Sequence, residues 1–273
     1  MKTLIFIVVL LFGAGTFAAP PDFTQILEDD VPFKMPSDIL TKPQYYAARH
    51  RVGAGDSLTK AEHQTVHRYT AGPDDYGART AFDEVQFSRD SEELYAVLDK
   101  LPGASAVGDI TEVFSAQRVF DMPVNEGDFV VAHGRPWSFS ENPESAAKFL
   151  ADKIQSGSNT VLYRVKDPLS GKPIASFSKL PQEAEILYTY GSSFQVLKVE
   201  TKKITQGFLS GYKFDEVSLA ETMRVPLGGT VRFYKGGANN VITLEELATD
   251  FQMDDRLRVR TYSPPSGCCP VSK

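Results

Sequence analysis

The segment Pro181-Gln182-Glu183-Ala184-Glu185-Ile186-Leu187-Tyr188 sets two carboxylates one residue apart, directly ahead of an apolar run. If the segment is extended, residues i and i+2 leave the same face, and the two acids stand roughly 6–7 Å apart. Acids that close repel, which pushes at least one of them toward protonation near neutral pH. Such a pair can stabilise a developing cation or move a proton. The plain alternative is an exposed acidic strand edge. A Gly191-Ser192-Ser193 turn and a second apolar stretch, Phe194-Gln195-Val196-Leu197, follow.

A second segment with chemical content is Trp137-Ser138-Phe139-Ser140, which runs through Glu141-Asn142-Pro143 into a helix-like pattern. Read as a strand, it puts both hydroxyls on one face and both aromatic rings on the other. A hydroxyl can hold a catalytic carboxylate in one rotamer, and the rings can wall a planar ligand. The alternative is a core strand end with Ser140 as a helix cap.

The elements that must position these residues are legible in outline. Thr59-Lys60-Ala61-Glu62 is a capping box that starts a helix to about Tyr69, and Gly72-Pro73-Asp74-Asp75 breaks it. A second helix opens at Asp90 or Ser91, carries the stripe Leu94, Val97, Leu98 and Leu101, and ends at Pro102-Gly103. From about residue 110 the pattern turns to strands, at 111–120 and 129–132, then at 159–165, 174–177, 184–189, 194–200 and 212–219. One helix crosses between them, capped by Asn142, with Pro143 in its first turn and Ala146, Phe149, Leu150 and Ile154 on one side. Helices first, then strands with a single crossing helix, predict an α+β domain with antiparallel or mixed sheets. Residues 20–55 are dense in proline and charge; short helices fit at 22–29 and 43–51, and the stretch reads as an arm. Toward the C-terminus, 230–234 and 256–262 read as strands and 244–251 as a short helix.

Composition narrows the class. Hydrophobic residues make up 42% and charged residues 23%, the proportions of a globular protein. The net charge is −6 and the basic residues are scattered, so there is no basic stripe for a nucleic-acid partner. Met1-Lys2, the apolar run Leu4 to Phe12 and the small-residue exit Gly13 to Ala19 form a secretory signal peptide, too short for a membrane span. Cleavage after Ala18 avoids leaving Pro20 at the new N-terminus, and no second apolar stretch reaches membrane length, so a secreted product is expected. Cys268 and Cys269 are adjacent, which matches no zinc spacing and would strain a mutual disulfide. His63 and His67 have metal-compatible i, i+4 spacing but lack a third ligand, so an exposed helix face and no metal are expected. There is no Gly-rich phosphate loop ahead of a helix, no Gly-x-Ser-x-Gly and no cysteine in a nucleophile setting.

A strand carrying arginine, then aromatic-Ser-x-Ser, then Glu-x-Glu, in that order, resembles the mono-ADP-ribosyltransferase family of the Arg-Ser-Glu type. That family includes secreted bacterial toxins and vertebrate arginine-directed ectoenzymes. Gly127-Asp128, Ala146-Ala147 with Phe149, and Glu185-Ile186-Leu187 followed by Phe194-Gln195-Val196 share its texture. Leu58 to Thr70, followed by Tyr76, is similar to the leading helices of the toxin branch, so the resemblance covers about residues 57–220. It implies an α+β core of two small packed sheets with leading helices and one crossing helix. It also implies a glycosyltransferase that takes NAD as substrate, needs no metal and passes ADP-ribose to a protein acceptor.

Carried over by the resemblance, Glu185 is the catalytic acid that binds the ribose and stabilises the oxocarbenium-like state, and Ser138 orients it. Glu183 faces the acceptor, and glutamate at that position goes with arginine as the modified residue. Gln182 lies one place earlier than the glutamine of asparagine-modifying branches. Trp137, Phe139 and Ser140 would line the NAD site, and His133-Gly134-Arg135 lies just ahead of them. The phosphate-clamping arginine is Arg118, although Ala116-Gln117-Arg118-Val119 departs from aromatic-Arg-Gly. Aligning on Val113-Phe114 instead puts Ser115 in the arginine's place and implies a lost clamp. Arg68 mimics the motif locally, on a helix. The implied organisation is a signal peptide over 1–18, an arm over 19–56, a catalytic domain over 57–222 and a C-terminal extension over 223–273. Three rivals remain at this level: an NAD glycohydrolase, a degenerate secreted binding protein of the same fold, and an unrelated hydrolase using Glu183 and Glu185 as an acid–base pair.

Overall fold

The computed structural model describes residues 20–29, 43–51, 58–70, 89–108, 110–118, 124–132, 136–157, 159–189, 191–222, 231–235 and 238–242. The leader, Tyr76, His133-Gly134-Arg135, the segments 244–251 and 256–262, and Cys268-Cys269 lie outside the described residues.

Helices come first, as the sequence pattern predicts: α1 (Phe23–Glu28), α2 (Pro43–Arg51), α3 (Lys60–Tyr69), α4 (Arg89–Leu98) and the short α5 (Ala104–Val107). The strands β1 (Glu112–Arg118), β2 (Phe129–Ala132) and β3 (Trp137–Ser140) follow, then the crossing helix α6 (Pro143–Gln155). After it come β4 (Thr160–Lys166), β5 (Lys172–Pro173), β6 (Glu185–Tyr188), β7 (Ser193–Lys203), β8 (Lys213–Thr222), β9 (Val231–Lys235) and β10 (Ala238–Ile242).

Hydrogen bonding links the ten strands in the order β10-β9-β2-β7-β8-β4-β1-β3-β6-β5. The sheet is mixed: β4 pairs parallel with β8 and β2 parallel with β9, and the other neighbours are antiparallel. The order is continuous, but β1 and β3 share only the register pair Phe114↔Ser140. Beyond that junction the chain folds back. The rings of Trp137 and Tyr188 lie 5.4 and 4.9 Å from Phe194 of β7, a strand that neighbours neither β3 nor β6 in the order. The β3–β6 face therefore packs on the β2–β7 face, which gives two sheet layers around one aromatic core.

Helix α6 closes the other side of the larger layer. Asn142 caps it by accepting the Glu144 N–H at 3.1 Å, Pro143 occupies the first turn, and Ala146, Ala147, Leu150 and Ile154 pack with Phe114 and Leu162. Helices α3 and α4 cover the back of β6, where Val66, Leu94 and Leu98 meet Ile174, Phe177 and Leu187. The capping box of α3 forms as expected, with the Thr59 N–H donating to Glu62 Oε2 at 2.6 Å.

Four expectations change. Residues 20–29, read as part of an arm, dock on the core: α1 buries Phe23 and Leu27 completely, and Phe23 stacks edge-on to Phe114 at 4.9 Å. Arg164 Nη2 also donates to Pro21 O at 2.6 Å, fixing the entry to α1. Two apolar residues at i and i+4 are enough to dock a short helix, and the surrounding polar residues hide them from a composition scan. The segment 174–177 is a turn rather than a strand, with pairing confined to Lys172–Pro173. The strand at 184–189 shortens to Glu185–Tyr188. Strands β9 and β10, within the segment assigned by sequence to a C-terminal extension, extend the larger layer through the parallel β2–β9 pairing. Among the described residues no helix is long and apolar enough to cross a membrane.

Because Phe23 fills the core beside Phe114, Phe23→Ala is expected to cost about 3–5 kcal/mol, the range for an emptied aromatic site. Urea denaturation of the wild type and the variant would measure it. A loss below about 0.5 kcal/mol, the size of an ordinary surface substitution, would return α1 to the status of an arm.

Candidate active site

Register decides which of the singled-out residues meet. The β3–β6 ladder pairs Ser138 with Leu187 and Ser140 with Glu185, so Ser138 and Glu185 are diagonal neighbours on one face. The Ser138 hydroxyl donates to Glu185 Oε1 at 2.5 Å. The carboxylate is only 6% exposed, and a buried charge persists only where donors reach it. This is a carboxylate held in one orientation at a strand end.

Glu183 is placed differently from the extended expectation. Pro181–Glu183 form a single 3-10 turn, and Ala184 takes the left-handed conformation at φ 47° and ψ 46°. The two acids therefore do not share a strand face: the chain kinks between them, and only Glu185 lies on the strand. Glu183 is half-buried on the turn that leads into it. A left-handed alanine costs about 1–2 kcal/mol, so the surroundings must impose the kink. They do so carbonyl by carbonyl. Gln182 O accepts from Asn142 Nδ2 at 3.0 Å and from Ser145 Oγ at 3.1 Å. Glu183 O lies 2.5 Å from the Ser140 hydroxyl, and Ala184 O accepts the Glu141 N–H at 3.0 Å. Glu185 O accepts the Ile174 N–H at 3.0 Å.

These bonds reassign several residues. Ser140 is buried beneath the acidic turn, also accepting the Asn142 N–H at 3.0 Å, so it shapes the turn instead of facing a ligand. Trp137 and Phe139 are fully buried among Tyr163, Tyr188 and Phe194 and have no free face to wall a ring. Their alternation with the serines is as read, but that face is the core.

On β1 the residue that reaches the serine strand is Ser115. Its hydroxyl donates to Ser138 O at 2.7 Å and accepts from Trp137 Nε1 at 3.1 Å and Gln117 Nε2 at 2.7 Å. Arg118 ends the strand opposite Thr160 of β4, four residues beyond the β1–β3 register pair. Arg68 lies on α3, more than half exposed, with Nη2 3.8 Å from Glu93 Oε2, which makes it a surface ion pair away from the site. His63 sits edge-on to Phe177 at 4.7 Å, and among the described residues no group of three His, Cys, Asp or Glu side chains could hold a metal. Sequence reasoning missed Ser145 and the α2 residues Arg49 and His50, which converge with Glu141 behind the turn. The one local signal was their i, i+3, i+4 spacing with Tyr46 on a helix read as peripheral.

No family model matches the sequence, and no curated protein matches it by sequence. Solved structures do match by fold. The Vis toxin, an ADP-ribosyltransferase from Vibrio splendidus, superposes over 77% of this chain and 95% of its own, with 17% identity and a TM-score of 0.57. Vis in complex with agmatine matches over 77% and 99%, with 17% identity and a TM-score of 0.56. Vis with the M6 inhibitor matches over 78% and 98%, with 17% identity and a TM-score of 0.57. The chain has the ADP-ribosyltransferase fold.

Proposed function

We propose that this protein is a mono-ADP-ribosyltransferase that cleaves NAD and passes ADP-ribose to an arginine side chain of a protein acceptor. The observation that carries the reading is the buried Ser138–Glu185 pair at the β3–β6 end of this fold, beside a turn that bears Glu183. A carboxylate locked by a hydroxyl can accept from a ribose hydroxyl and face the cation that develops at C1′ as the bond to nicotinamide breaks. Nicotinamide leaves with the bonding electron pair. A guanidino nitrogen of the acceptor then forms the new bond to C1′, and its proton passes to Glu183. That carboxylate also draws in the guanidinium, which otherwise stays charged in water. That Vis was solved with agmatine, itself a guanidinium, supports this acceptor class.

Arg118 is the proposed partner of the NAD phosphates, as the cation at the β1 end nearest the serine strand in sequence. Export through the leader at 1–18 belongs to the same reading; an exported chain whose N-terminus is still Met1 would contradict it. A second reading has a specific observation behind it. Ser115 occupies the β1–Ser138 junction where one alignment expects the arginine, which favours weak NAD binding and transfer to water, or binding alone.

One assay separates these readings. The purified chain is incubated with NAD labelled in its ADP-ribose half, with and without agmatine. Transfer yields ADP-ribosyl-agmatine and nicotinamide, hydrolysis yields free ADP-ribose and nicotinamide in both tubes, and a binding protein yields neither. No nicotinamide release under any condition would sink the enzymatic proposal.

A further inference from the structure

Tyr46, Arg49 and His50 follow the i, i+3, i+4 spacing on α2, and that helix packs against the turn that bears Glu183. His50 is fully buried, and both of its ring nitrogens are engaged. Nδ1 lies 3.1 Å from the Ala175 backbone nitrogen, which can only donate; Nδ1 therefore accepts, and the ring proton sits on Nε2. Nε2 donates to Glu141 Oε2 at 2.9 Å, while the other oxygen of Glu141 lies 2.7 Å from Arg49 Nε.

The two segments joined by this ring are those that shape the acidic turn. Glu141 donates its N–H to Ala184 O, and Ile174, next to Ala175, donates its N–H to Glu185 O. Ala184 itself is buried against Tyr46 and Ala175. A left-handed, non-glycine residue persists only where its surroundings over-determine it, and the imidazole ties together the two segments, at Glu141 and Ala175, that hold the backbone at the kink. Glu185 has an independent hold through Ser138 and the β3–β6 ladder, whereas the turn that carries Glu183 is backed by α2.

We propose that His50 is a positioning residue that pins the kink at Ala184, sets Glu183 relative to Glu185, and so governs how much ADP-ribose reaches a guanidinium acceptor instead of water. This rests on the reading of Glu183 as the acceptor-facing acid. Loosening the pin displaces Glu183 first and leaves Glu185 in place.

The test uses the full chain as wild type, His50→Ala, His50→Gln and His50→Asn, with nicotinamide release and ADP-ribosyl-agmatine formation measured side by side. His50→Ala is expected to lower transfer about tenfold or more while hydrolysis and the KM for NAD hold, because misplacing one group by a fraction of an ångström costs that much. Gln can offer its amide N–H to Glu141 and should recover most of the transfer; Asn can only replace the bond to Ala175 and should recover less. Equal losses of both activities, in step with a lower melting temperature, would reduce His50 to a structural residue and overturn the proposal. If the wild type releases no nicotinamide, the enzymatic reading fails, and amide exchange then judges the pin alone. Faster exchange in His50→Ala at Glu141 and across 182–184, with β6 unchanged, supports the pin; unchanged exchange there overturns it.

Discussion

Glu185→Gln is expected to abolish nicotinamide release, with or without agmatine, lowering kcat by about a hundredfold to a thousandfold, the usual effect of losing one transition-state electrostatic contact. The substitution is close to isosteric, and the glutamine carbonyl can still accept the Ser138 hydroxyl that now lies 2.5 Å from Oε1. What disappears is the negative charge, at a position only 6% exposed, where surrounding water cannot screen or replace it. Since burying a carboxylate is itself unfavourable, the variant should melt no lower than the wild type, so lost activity cannot be put down to lost folding. Ser138→Ala is the companion measurement. It keeps the charge but releases the rotamer, and should fall between the two, by about 10- to 100-fold, as one charge-assisted hydrogen bond predicts. Activity that survives Glu185→Gln would show that the reaction does not run through this carboxylate.

The parts of this arrangement that were legible in the sequence are those fixed by local pattern. The capping box at Thr59–Glu62, the Asn142-Pro143 helix start and the alternation Trp137-Ser138-Phe139-Ser140 each reflect a rule that acts within a few residues, and the structure follows each of them. Ser138 and Glu185 could be paired only through the resemblance, because no pattern within 137–140 or 185–188 states that β3 and β6 are antiparallel neighbours. The kink at Ala184 was not legible at all. Alanine carries no turn signal, and its left-handed conformation is imposed by Ser140, Glu141, Asn142 and Ser145, some forty residues away in sequence. The same holds for α1 and α2. Their apolar residues are few, and their value comes from what they dock against: Phe114 for Phe23, and Ala184 for Tyr46. Burial of Trp137 and Phe139 could not be told from ligand contact by sequence, since both uses place aromatic rings on the face opposite the serines.

Glu183→Gln is expected to divide the two outcomes of NAD cleavage: hydrolysis continues near the wild-type rate, and transfer to agmatine falls about a hundredfold. The division follows from the kink. Glu183 sits on the 3-10 turn outside β6, and the bonds that fix that turn run through backbone carbonyls and leave Glu185 with its own support from Ser138. A glutamine at 183 therefore leaves the turn and the ribose-facing acid in place. It cannot attract a guanidinium, and it cannot take the proton that a guanidino nitrogen must lose on attacking C1′. Water needs neither service to the same degree, because it arrives uncharged. The measurement is the ratio of ADP-ribosyl-agmatine to free ADP-ribose across agmatine concentrations. A ratio unchanged by Glu183→Gln would remove Glu183 from the acceptor side, and with it the argument that this turn selects arginine. A loss of both products together would instead mean that the turn supports Glu185 after all, making the two acids one mechanical unit.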